Sequence, residues 1–167
     1  MLTTVADFDR LWTHESNATR TILAELTDAS LVQAVAPGGR TLGRLAWHMT
    51  QSIPEMLGRA GLRAAGPAEH EPVPAAADTI RRGYDEAARS AGEQVRTNWR
   101  DETLAVEDDM YGESWTRGFT LMVLVHHQIH HRGQMTVLMR QAGLRVPGIY
   151  GPAREEWGAF GMPEPTI

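Results

Sequence analysis

The chain has 167 residues, 42% apolar and 22% charged, which suits one domain over 1–167 and leaves no room for a second of normal size. Its formal charge of −5 argues against a phosphate-binding surface, so nucleic acid is excluded as a main partner. There is no Cys, and all sixteen basic residues are Arg; thiolate sites, disulfides and cysteine nucleophiles go with the first absence, Schiff-base and phosphate-lysine chemistry with the second.

The N-terminal stretch MLTTVADFDR is acidic and amphipathic, unlike a secretory leader. A first helix is predicted over about Val5 to Thr27, where Val5, Phe8, Leu11, Trp12, Ala18, Ile22 and Leu26 recur at steps of three and four. A second is predicted over about Thr41 to Ala60, with Thr41 as its N-cap after the Pro37-Gly38-Gly39 turn and Pro54 kinking or breaking it. The link from Gly61 to Ala77, with Pro67, Pro72 and Pro74, is long enough to run the length of a helix.

A third helix, about Asp78 to Trp99, is rich in Arg, Ala and Glu and shows one face to water. The fourth, about Thr116 to Ala142, ends at Gly143, and its stretch Phe119 to Val125 is apolar almost all round, making it the most buried. No segment reads as a β-strand. The fold expected is all-α: a four-helix bundle with one long crossover link. Residues 144–167, rich in Pro and Gly, are expected to wrap the bundle with one short helical turn near Ala153 to Trp157. The longest apolar run, Leu121 to Val125, is far below the roughly 18 residues of a membrane span, so a cytoplasmic protein with no membrane partner is expected.

Four of the seven histidines crowd into six residues of the fourth helix. Residues four apart on a helix lie about 40° apart, so His126 with His130, and His127 with His131, are two pairs that can each reach one ion. Periodicity leaves the choice between the pairs open. A third ligand is needed, and His48 on the second helix shares a face with Leu45, Ser52, Glu55 and Met56; His14 on the first is the other core candidate, and His70 in the Pro-rich link a poor one.

The stretch His127-Gln-Ile-His-His131-Arg-Gly-Gln134, the upstream Leu45-Ala-Trp-His48 and the tail Val146-Pro-Gly-Ile-Tyr-Gly-Pro152 together resemble the DinB family of DinB/YfiT-like metalloproteins. The resemblance covers about residues 5–163. It implies an up-down-down-up four-helix bundle, a homodimer, and His48, His127 and His131 around one divalent metal, Zn²⁺ or Ni²⁺ first, then Fe or Mn. His126 and His130 are then left to supporting or packing roles. It also implies a thiol S-transferase or thiol-dependent isomerase using a low-molecular-weight thiol.

A divalent ion on three neutral imidazoles keeps its full charge and an open position, and lowers the pKa of a thiol or water there. A chain without Cys must receive its sulfur nucleophile from outside. The leading expectation is therefore a metal-dependent transferase that joins a small thiol, such as bacillithiol or mycothiol, to an electrophilic or xenobiotic compound. Two alternatives stand beside it: a metal-dependent hydrolase with Glu55 as base, and a non-catalytic, stress-related metal-binding dimer. Which of Ser52, Glu55, Gln128 and Gln134 faces the cavity is left open. Trp12, Trp47, Trp99 and Trp115 are read as packing residues at helix core or end positions, Arg132 as a salt-bridge or dimer residue, and Gly133 as permitting close helix approach.

Overall fold

A computed structural model describes residues 2–166. Four helices carry the fold: α1 (Val5–Ala24), α2 (Leu42–Arg59), α3 (Ala77–Asn98) and α4 (Arg117–Gln141). Hydroxyl caps start three of them. Thr4 accepts from the Asp7 amide, Thr41 from that of Arg44 and Thr116 from that of Phe119. Gly143, at φ +71°, follows the end of α4 as the left-handed residue that such a terminus favours. α2 runs unbroken through Pro54, so the break admitted there does not occur.

α1 and α2 each pack on both α3 and α4, which places α1 diagonally across from α2. Side-chain partners give the directions. Asp9 pairs with Arg96 and Arg20 with Asp85, so α1 and α3 are antiparallel; Trp47 packs on Gly83, and just past α2 the Arg63 amide donates to Gln94 Oε1, so α2 and α3 run parallel. Glu15 meets Arg132, and Met49 meets Gln128 while Ser52 meets His127, which completes an up-down-down-up order. Parallel neighbours need a long connection. The segment 60–76 supplies it and is tied across the α2–α3 groove, Ser90 accepting from the Ala65 amide and Gln51 donating to the Ala68 and Glu71 carbonyls.

The core is continuous across the four helices, with Ile22, Ile53, Leu57, Ile80, Leu121 and Leu124 fully buried, each stabilising the fold by roughly 1.5–3 kcal/mol. Trp12 stacks on Phe8 and sends its indole N–H to the Ala88 carbonyl at 2.8 Å. At Gly118 an added Cβ would lie 2.3 Å from the Leu2 carbonyl oxygen, so the entry to α4 needs a residue without one. No described helix is long and apolar enough to cross a membrane.

The expectation of no strands is corrected. Residues Glu107–Met110 (β1) and Glu113–Thr116 (β2) form an antiparallel hairpin, Glu107 opposite Thr116 and Met110 opposite Glu113. Tyr111 and Gly112 turn it with φ of +61° and +87°, the two-residue geometry that matches strand twist. Half of the strand residues are exposed and half are charged, so the strands lack the apolar alternation that marks a strand; Met110, fully buried, anchors them to the bundle. Trp115 accordingly sits on β2, against Phe119 and Tyr111, and not at a helix end. α1 also stops three residues short of the expected Thr27, at Ala24, and a 3₁₀ segment, Asp28–Val32, follows with Thr27 and Ser30 bonding each other's backbone amides.

Candidate metal centre

His48 is on α2, and His127 and His131 are one turn apart on α4, the helix antiparallel to it. His127 Nε2 lies 3.1 Å from His48 Nε2 and 3.1 Å from His131 Nε2. Ligand atoms of all three fall within 4.8 Å of one another. Nitrogen ligands at about 2.05 Å from one ion stand about 3.3 Å apart in a tetrahedron and about 2.9 Å apart on an octahedral face, so the spacing fits a divalent ion.

The outer nitrogens have their own partners. Ser52 Oγ donates to the Met49 carbonyl at 2.9 Å and lies 3.3 Å from His127 Nδ1, so it accepts from that nitrogen. Gln134 Oε1, which can only accept, lies 2.7 Å from His131 Nδ1. Both contacts put the proton on Nδ1 and leave the Nε2 lone pair facing the centre, the supporting arrangement that metal-binding imidazoles use. Burial, then the nearby charges of His131, Arg40 and Arg44, lowers the His48 pKa to about 4. Burial, then the neighbouring histidines and Arg40, does the same to His127. His131 is also lowered, chiefly by burial, against the opposing bond to Gln134. All three rings are therefore neutral near pH 7, the form that ligates.

The other predicted residues sort clearly. His126 and His130 are exposed; His130 meets the centre edge-on to the His131 ring, 4.9 Å between centroids, and through Gln134, whose amide nitrogen lies 3.1 Å from His130 Nε2. The most buried helix of the sequence reading thus carries a divided cluster: the near-continuous apolar run ends at Val125, and of its four histidines His127 and His131 turn toward His48 on α2 while His126 and His130 are exposed. His14 is corrected too, since its side chain is 61% exposed and points away from the core beside Tyr150. Gln128 is buried and donates to the Met49 carbonyl. Gly133 is exposed with nothing within 4 Å of an added Cβ, so it serves no close helix approach.

Arg132 makes a salt bridge, buried within the chain. Its guanidinium meets Glu15 Oε2 at 2.5 Å and donates to the Glu15 carbonyl and to Thr19 Oγ1, with both charged side chains 3% exposed. Tyr150, in the C-terminal segment, donates its hydroxyl to Glu15 Oε2 and accepts from Arg132, each at 2.7 Å. Sequence reasoning missed this triad, because nothing in the spacing of residues 15, 132 and 150 links them.

Two hollows flank the histidines. One, of about 280 Å³, is lined by side chains that carry polar groups, His48 with Arg44, Gln51, Ser52, Glu55, Glu69, His70 and Tyr111. Glu55 accepts from the Tyr111 hydroxyl at 2.7 Å and pairs with Arg59, whose guanidinium lies over the Tyr111 ring. Both Glu55 oxygens are thereby engaged. The other hollow, of about 450 Å³, lies a turn away, between the start of α2 and the end of α4.

An up-down-down-up bundle with three histidines converging from α2 and α4 defines a class of helical-bundle proteins with a possible three-histidine metal site. The chain matches the model of the DinB family over residues 1–165 and belongs to that family. It is 45% identical, over the full length of both chains, to the uncharacterized protein YrdA of Bacillus subtilis (strain 168). A crystal structure of a DinB-like protein from Bacillus cereus ATCC 10987 superposes with a TM-score of 0.87 at 45% identity, covering 90% of this chain and 100% of that one. The DinB-like protein YjoA of Bacillus subtilis shares the fold, with a TM-score of 0.68 at 16% identity over 88% of this chain and 99% of that one.

Proposed function

We propose that His48, His127 and His131 hold one divalent ion, Zn²⁺ or Ni²⁺, and that the protein is a cytoplasmic homodimeric transferase joining a low-molecular-weight thiol to a small electrophile. The observation that carries the reading is the convergence of three neutral Nε2 atoms, two of them with Nδ1 engaged by Ser52 and Gln134. When bound, the ion supplies Lewis acidity that lowers the pKa of a thiol beside it. The chain holds no Cys, so the sulfur comes with the cosubstrate. The hollow beside His48, with Arg44, Gln51 and Glu69, offers charged and amide groups to a hydrophilic thiol. The thiol proton passes to solvent, a sulfur–carbon bond forms, and the electrophile's leaving group departs with the bonding pair.

The hydrolytic alternative asks Glu55 to act as a base, and its carboxylate is already held by Tyr111 and Arg59. Metal analysis of the purified protein, then assays of the Zn²⁺- and Ni²⁺-loaded forms with a panel of small thiols against 1-chloro-2,4-dinitrobenzene, test the proposal. Metal-dependent conjugation lost in His48→Ala is expected. Bound metal with no conjugation above the His48→Ala background for any thiol would leave the non-catalytic metal-binding bundle as the answer.

A further inference from the structure

The larger hollow is lined by Val35, Leu45, Val137 and Leu138, with Arg40 and Gln134 as its polar members. Its volume lies within the roughly 300–1,000 Å³ of small-molecule sites, and an apolar lining with a few placed polar groups is their usual make-up. It adjoins the histidines through the helices themselves: Leu45 is three residues before His48, and Gln134 bonds His131. Arg40 makes no hydrogen bond or ion pair among the described residues, whereas most of the other arginines, such as Arg20, Arg89 and Arg117, are paired with carboxylates. Arg40 lines the same hollow as Gln134, the residue that bonds His131, and its charge bears on all three imidazoles.

We infer that this hollow binds a small organic acid, with an apolar body against Val35, Leu45, Val137 and Leu138 and a carboxylate on the Arg40 guanidinium. A planar guanidinium forks onto a carboxylate through two parallel bonds, and an unpaired one at an apolar rim is free to take an anion. Resting on the function proposed above, the inference names the electrophile as a carboxylate-bearing one, held a turn from the metal while the thiol enters on the His48 side. It is stated about binding, so it can fail or hold independently of turnover.

The test is titration of the protein as purified with 3-phenylpropanoate and with its neutral amide, followed by calorimetry and by backbone amide shifts around Val35, Gln134 and Val137. The acid is expected to bind about tenfold more tightly than the amide. That preference should vanish in Arg40→Gln, fall in Val137→Asp, and persist in His48→Ala. A preference that survives Arg40→Gln but is lost in His48→Ala would put the carboxylate on the metal and overturn the inference. Binding of neither probe, with shifts at Val35 and Val137 that depend on protein concentration, would assign the rim to a second copy of the chain and overturn it as well. Conjugation without the acid preference would sink the inference alone; the acid preference without conjugation would sink the transferase reading alone.

Discussion

Gln134 bridges two histidines: its Oε1 lies 2.7 Å from His131 Nδ1 and its amide nitrogen 3.1 Å from His130 Nε2. The amide fixes the tautomer of His131 and couples an exposed ring to a buried one. Replacing such a partner of a ligating imidazole costs metal affinity without removing a ligand. Gln134→Leu is expected to weaken metal binding by about 10–100-fold. Competition with a chromophoric chelator measures it, and unchanged affinity would show that the contact does not orient the ring.

The histidines divide sharply by exposure. His48→Ala is expected to abolish stoichiometric metal binding, whereas His126→Ala and His14→Ala leave the metal content at one ion per chain. Elemental analysis of the three variants beside the parent decides it, and loss of metal in His126→Ala would move the ligand set to the other pair.

The lowered histidine pKa values make the metal-free fold acid-sensitive in a defined window. Unfolded histidines titrate near 6.5, and His48 and His127 in the fold near 4. Between these values the unfolded chain binds more protons, so stability falls as pH drops from about 6.5 toward 4 and is untouched by these groups above that range. Melting temperatures of chelator-treated protein across the window check it. His127→Leu should flatten the decline, and an equally steep profile in that variant would assign the acid sensitivity to other groups.

The Glu15–Arg132–Tyr150 triad carries a fourth expectation. Arg132→Ala strands a buried carboxylate and is expected to destabilise the fold by about 3–5 kcal/mol. Tyr150→Phe removes hydrogen bonds to both charges and is expected to cost about 1.5–3 kcal/mol. Urea unfolding of both variants measures the two losses, and a Tyr150→Phe midpoint equal to that of the parent would mean that water replaces the hydroxyl.

The helices were legible because their signals are local. Thr41, Thr116 and Gly143 mark their termini by chemistry that needs no tertiary partner, and the proline-rich link 61–77 announced a crossover by its length. What failed depends on packing. The hairpin hides in EDDM-YG-ESWT because half of its strand residues are charged and Met110 alone is its buried apolar anchor. His14 shares the first helix with the buried Phe8, Trp12 and Ala18, which made it a core candidate, yet its side chain turns outward. At the centre, spacing offered two equivalent pairs and the family resemblance named one; the geometry brings that pair, His127 and His131, to His48. The parts of Ser52 and Gln134 could not be read in advance, since each depends on where a ring on α4 or a carbonyl on α2 comes to lie.

α4 is gripped on two sides, by His48 from α2 and by Glu15 from α1, through His131 and the adjacent Arg132. A rotation of α4 that opened one grip would strain the other. An ion drawing His127 and His131 toward α2 should therefore quiet α1, which supplies no ligand, and amide exchange along α1 around Glu15 and Thr19 should slow when metal is added. In this bundle a helix that holds no ligand would report the metal's arrival.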